Sequence, residues 1–88
     1  MQVTFDVNKN ARNIDERGLS FDRAADFNFE TALIGSDDRH DYSEVRCVAL
    51  GYLNGRLHVL CFTETHHGIR VISFRKANSR EVNLYAST

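Results

Sequence analysis

Arg70, Arg75, Lys76 and Arg80 fall within eleven positions of one another, on a run from Gly68 to Glu81 that reads as a β-strand passing straight into a helix. Cations concentrated at one strand end make a positive field, and the chemistry suited to such a field is the binding of phosphate. Metal-free cleavage beside a 2′-hydroxyl asks for a base to take the hydroxyl proton, an acid to protonate the leaving 5′-oxygen, and cations to stabilise charge on phosphorus. Arg75 and Lys76, helped by Arg46 and Arg70, are the candidates for phosphate, arginine being shaped for bidentate contact. Arg80 and Lys9 are further candidates for backbone binding. Glu64 and His58 are the candidate bases, although a carboxylate set among cations has its pKa lowered and becomes a weaker base. A structural histidine is the commoner reading of His58.

The other titratable residues make a poorer case. His40 lies in an acid-rich loop and His66-His67 at a turn, so both read as solvent-facing. Two adjacent histidines without a third ligand at suitable spacing do not make a metal site, and neither a metal nor another cofactor is expected. Tyr42 and Tyr85 are the aromatics that could stack on bases, whereas Phe21, Phe27 and Phe74 read as core, so sequence-specific recognition is unsupported.

Eighty-eight residues allow one small core, hence a single domain over 1–88. No apolar run approaches the roughly 20 residues that span a bilayer. Met1 to Asp6 lacks the basic start and apolar core of a signal peptide, so a cytoplasmic location is expected. The net charge of −1 conceals an uneven distribution: residues 1–44 carry −5 and residues 45–88 carry +4. Two partners of opposite charge are one reading of that split, and mutual neutralisation across the fold is the other.

The elements that must position these groups are legible in outline. Met1 to Phe5 suits a short strand, Asp6 a helix cap, and Lys9 to Arg17 a helix that Gly18 stops. Ser20 caps a second short helix through about Phe27, with an incomplete apolar stripe on Phe21, Ala24 and Ala25 that Phe27 could extend. Strands are expected at Thr31–Ile34, Val45–Leu53, Arg56–Thr65 and Ile69–Arg75. Asn54-Gly55 is a strong hairpin signal, because both central residues of a type I′ turn need positive φ. Ser36, Asp37, Asp38 and Asp41 supply turn chemistry before the Val45 strand. Asn78 with Glu81 three residues later forms a capping box for a C-terminal helix. The expected fold is α+β: an antiparallel sheet of four strands, five if the first segment joins, with two N-terminal helices on one face and a C-terminal helix.

Counting outward from the hairpin pairs Leu53 with Arg56, Cys47 with Phe62 and Val48 with Cys61, so the cysteines point to opposite faces and a disulfide between them is not expected. Across a second turn of two or four residues, His58 falls opposite Arg75. One face then gathers Val48, Leu50, Tyr52, Leu57, Val59, Cys61, Ile72 and Phe74, against which the helices should pack. The other gathers Ala49, His58, Leu60, Phe62, Glu64, Ser73 and Arg75, a mixed surface suited to meeting a substrate.

In order along the chain, Phe5-Asp6 with Lys9-Asn10 and Asn13, Gly18-Leu19-Ser20-Phe21 with Ala24, Asp38 to Tyr42 with Glu44 and Arg46, Ala49-Leu50-Gly51, Thr63-Glu64, Ile69 to Ser73 with Arg75-Lys76-Ala77, and Arg80-Glu81 resemble the BrnT family of type II toxins. The resemblance implies a RelE-like fold and a ribonuclease that arrests translation. It also implies a BrnA-like antitoxin that binds the toxin in a hetero-oligomer and contacts DNA, the toxin reaching DNA only through it. Family members commonly carry Lys-His-Gly where this chain has Glu16-Arg17-Gly18. A catalytically degenerate module, retained to bind the antitoxin and modulate operon repression, is therefore the alternative to an active enzyme.

Overall fold

The computed structural model describes residues 1–37 and 44–88. Expectations placed on Asp38, Arg39, His40, Asp41 and Tyr42 lie outside the described residues. In chain order the elements are β1 (Gln2–Phe5), α1 (Val7–Arg17), a 3-10 helix (Phe21–Asp26), β2 (Leu33–Ser36), β3 (Cys47–Leu53), β4 (Arg56–Glu64), β5 (Gly68–Lys76) and α2 (Ser79–Ala86).

The strands form one five-stranded sheet in the order β1-β5-β4-β3-β2. The expected four-stranded antiparallel sheet is thus corrected to a mixed one. Gln2–Phe5 joins it parallel to β5, Gln2 facing Gly68 and Phe5 facing Val71, while the other pairings are antiparallel. A first strand whose partner comes from the far end of the chain leaves no local signal of its direction.

α1 starts on Asp6, whose carboxylate accepts the Asn8 and Lys9 N–H groups at 2.8 and 3.1 Å, and stops at Gly18, whose N–H reaches Ile14 O at 2.8 Å. The second expected helix is a 3-10 helix instead. Phe21, Ala24 and Phe27 recur every three residues and are all buried, which suits three residues per turn and explains a stripe that looks incomplete at 3.6. The Asn54-Gly55 hairpin has the positive φ values a type I′ turn needs, 49° and 77°, and the β3–β4 register is the expected one, Cys47 facing Phe62 and Val48 facing Cys61. The capping box at Asn78 and Glu81 is present in both directions.

The β4–β5 register is not the expected one. Phe62 faces Val71, but Cys61 faces Ser73, so Ile72 is an inserted residue and the ladder beyond it is displaced by one. His58 therefore faces Lys76, and Arg75 faces Val59. A one-residue slip moves every later side chain to the other face. Phe74 enters the main core, and Arg75 leaves the face of His58.

The expected assignment of faces is corrected with it. The larger core lies on the supposedly mixed face, where Ala49, Leu60, Phe62 and Phe74 pack against Phe21, Ala24 and Phe27. Edge-to-face rings knit it together: Phe27 to Phe74 at 6.0 Å, Phe29 to Phe62 at 5.8 Å and Phe5 to Phe21 at 5.8 Å, each pair adding about 0.5–1.5 kcal/mol beyond burial. The supposedly helix-covered face receives α2 alone, through a smaller cluster of Leu50, Leu57, Val59 and Ala77 with Val48 and Tyr85 beside it.

Candidate active site

His58 is the third residue of β4 and points into the main-core side of the sheet, 4% exposed, its ring 5.5 Å from that of Phe74. Its Nδ1–H donates to Arg56 O at 2.7 Å, which fixes the tautomer and leaves Nε2 with the lone pair when the ring is neutral. Burial, partly opposed by that hydrogen bond, holds its pKa below 6.5. At neutral pH the imidazole is therefore uncharged and able to accept a proton.

A cleft of about 390 Å³ opens beside it, lined by Arg17, Gly18, Leu19, His58, Arg75 and Lys76. The ladder brings in Lys76 opposite His58. Arg17 arrives from the end of α1, and the residue that places it is Asn13. That buried amide donates through Nδ2 to Leu19 O and to Phe74 O, both at 2.9 Å, and accepts from Arg17 Nη1 at 2.7 Å. Asn13 thus ties the helix to the strand and holds the arginine in one step. Asn10 does similar work one turn earlier, its Oδ1 accepting the Phe21 N–H at 2.8 Å.

Of the residues singled out from sequence, His58, Arg75 and Lys76 come together in this cleft. Arg75 enters it already engaged: its Nη1 and Nη2 donate to the two carboxylate oxygens of Glu81 at 2.8 and 2.9 Å. The Glu81 pKa is held at about 2, chiefly by that pair, and the Arg75 pKa is raised by it. Glu64 and Arg70 sit at the other end of the sheet, Glu64 six residues along β4 from His58, or about 20 Å. Arg70 is bound there to Glu44. Arg46, directly before β3, belongs to the same end, its carbonyl accepting the Asp37 N–H at 2.8 Å. Arg80 is exposed in the first turn of α2.

Lys9 lines a second groove, about 210 Å³, with Arg12, Glu16 and Arg17 of α1 and Ile72 and Ser73 of β5. A larger groove, about 760 Å³, lies against α2, and Arg56 is the one charged side chain in its lining, so cations do not converge there. Among the described residues no three of His, Cys, Asp and Glu come together as they would to hold a metal ion. Sequence reasoning missed Arg17 as a site residue and Asn13 as its anchor. Their i, i+4 spacing on one helix was the available signal.

A neutral buried imidazole beside cations is suited to phosphodiester chemistry, and comparison with known families bears on it directly. The family model for the ribonuclease toxin, BrnT, of type II toxin-antitoxin systems matches residues 5–81. The chain belongs to the BrnT family. No individual curated protein matches it. Membership makes it a toxin of a ribonuclease family, with RNA as the substrate class and an antitoxin protein as the partner class. The matched span takes in every residue of the BrnT cleft, from Arg17 to Lys76. Among the described residues no helix is long and apolar enough to cross a membrane.

Proposed function

We propose that this BrnT protein is an endoribonuclease that cleaves RNA in the Arg17–His58–Lys76 cleft without a metal ion. The observation that carries the reading is a histidine kept neutral by burial in a cleft whose other charged groups are cations. His58 takes the proton of the 2′-hydroxyl, whose oxygen attacks phosphorus. Arg17 and Lys76 bear the negative charge that builds on the phosphoryl oxygens. Lys76 gives a proton to the 5′-oxygen as its bond to phosphorus breaks, leaving a 2′,3′-cyclic phosphate and a 5′-hydroxyl. Arg75 stiffens the strand end through Glu81, while Glu64, Arg46 and Arg70 take no part in the chemistry. The protein works in the cytoplasm as a single RelE-like domain, arrests translation, and is neutralised in a hetero-oligomer by a BrnA-like antitoxin that carries it to DNA.

The test is incubation of purified protein with RNA in EDTA. Products ending in 2′,3′-cyclic phosphate support the mechanism. Loss of cleavage in EDTA, or 3′-hydroxyl ends, overturns it, and full activity in Arg75→Ala removes Arg75 from the site.

A second reading, a degenerate module that binds antitoxin and tunes repression, is favoured by one observation and by the resemblance: Arg75 is neutralised by Glu81, and Arg17 stands where the resemblance implies histidine. Growth arrest on expression decides between them. Toxicity that emerges only in Arg17→His favours the module.

A further inference from the structure

The cleft does not end at Arg17. The same side chain forms one wall of the groove between α1 and β5, where Lys9, Arg12 and Arg17 oppose a single acid, Glu16. That groove exists because β1 pairs with β5 only from Gly68 to Val71, and the bulge at Ile72 begins where the pairing stops. Asn13 covers the open edge at Phe74 O, which draws α1 alongside it and leaves Ile72 and Ser73 as the floor. Among the described residues Lys9 and Arg12 make no side-chain ion pair; both feel the charge of the Asp6 carboxylate at the start of α1, and neither is bonded to it through its side chain. Lys9 and Arg17 are eight residues apart, about 12 Å along the helix axis, which is room for two successive backbone phosphates.

We propose that this groove binds the phosphate of the nucleotide next to the one cleaved, so that a single RNA strand lies across Arg17 with one phosphate on either side of it. The inference rests on the ribonuclease reading and adds a path for the substrate. No aromatic ring is needed along it, so the contact reads charge and spacing rather than base identity.

The experiment measures binding of two-nucleotide and eight-nucleotide 2′-deoxy strands, which cannot be cleaved, to the full chain over a range of salt. Each phosphate contact on a single strand contributes about 0.7 to the slope of log K against log salt. In Lys9→Ala/Arg12→Ala the eight-nucleotide slope should flatten by about 0.7–1.4, and the advantage of the longer strand over the shorter should shrink several-fold. Arg70→Ala, which removes a cation from the other end of the sheet, should leave the slope in place. An unchanged slope in the double variant of a protein that cleaves RNA overturns the groove and spares the ribonuclease. Wild-type protein that neither binds nor cleaves RNA overturns both. A double variant that binds RNA normally but escapes its antitoxin assigns the groove to an acidic segment of protein and overturns the inference.

Discussion

Glu81 joins the fold to the site, and its replacement by glutamine can be worked through in numbers. The carboxylate holds Arg75 at 2.8 and 2.9 Å and accepts the Asn78 N–H at 2.9 Å as half of the capping box. Glutamine keeps the volume and an oxygen for the cap but removes the charge. The interval between the ordinary 4.5 and the held value of about 2 corresponds to ~3.4 kcal/mol at ~1.36 kcal/mol for each factor of ten. Water reduces this, because the Arg75 and Glu81 side chains are 38% and 23% exposed and exposed pairs contribute about 1 kcal/mol or less. Two parallel hydrogen bonds and partial burial place this pair higher, so Glu81→Gln should cost about 1–2 kcal/mol at pH 7. A pKa depressed in the folded state stabilises fully above the unfolded value of 4.5, and that contribution is lost as pH falls toward about 2.

Urea unfolding followed by far-ultraviolet circular dichroism, at pH 7 and near pH 2, should therefore show the gap between wild type and Glu81→Gln open at neutral pH and closed in acid. Melting at pH 7 should fall by about 4–8 °C for each kcal/mol lost. A gap that persists undiminished near pH 2, or none at pH 7, refutes the reasoning. The same variant separates two roles of Arg75: if the released guanidinium serves the cleft, RNA cleavage changes when Glu81 is replaced.

Other substitutions test the remaining links. His58→Gln should lower the single-turnover cleavage rate by about 10²–10⁴ while the far-ultraviolet spectrum is kept. Because the folded protein favours neutral His58, the wild-type rate should hold its plateau from neutral pH to below 6.5 and fall on further acidification, and stability should decline as pH drops from 6.5 toward the folded value. Asn13→Ala strips the Leu19 and Phe74 carbonyls of their buried donor, at about 1–3 kcal/mol each, so urea unfolding should show a loss of about 2–6 kcal/mol. In Gly68→Ala the new Cβ would stand 2.0 Å from Gln2 O and 2.6 Å from Gln2 N, so β1 must shift away and amide exchange should quicken at Gln2 and Thr4, the alternate residues whose N–H groups face β5.

What could be read from the sequence were the features whose cause is local. Asp6, Gly18, Asn54-Gly55 and the Asn78–Glu81 box act through their own backbone and neighbours, and each stands where its chemistry predicts. The bulge at Ile72 was not legible. Val71-Ile72-Ser73-Phe74 alternates acceptably in either register, and the choice is made by where Phe74 can be buried, against Phe27 from another element. One inserted residue therefore decided which cation accompanies His58. The cleft was legible in His58, Arg75 and Lys76, whereas the placement of Arg17 beside them was not, because nothing in α1 announces that Asn13 will find the Phe74 carbonyl sixty-one positions away.

The same contact refines the reading of charge by halves. Arg70 with Glu44 does neutralise across the division, as one expectation held. Arg75, however, spends its charge within the basic half, on Glu81, while the acidic half delivers Lys9, Arg12 and Arg17 to the grooves beside β5. The −5 of the first forty-four residues therefore says little about the surface they build, since helix α1 presents its cations where β1 leaves β5 open. A positive site on a chain of net charge −1 follows from edge geometry: an unpaired strand edge needs a donor, the donor is an asparagine on a helix, and that helix carries its cations in with it.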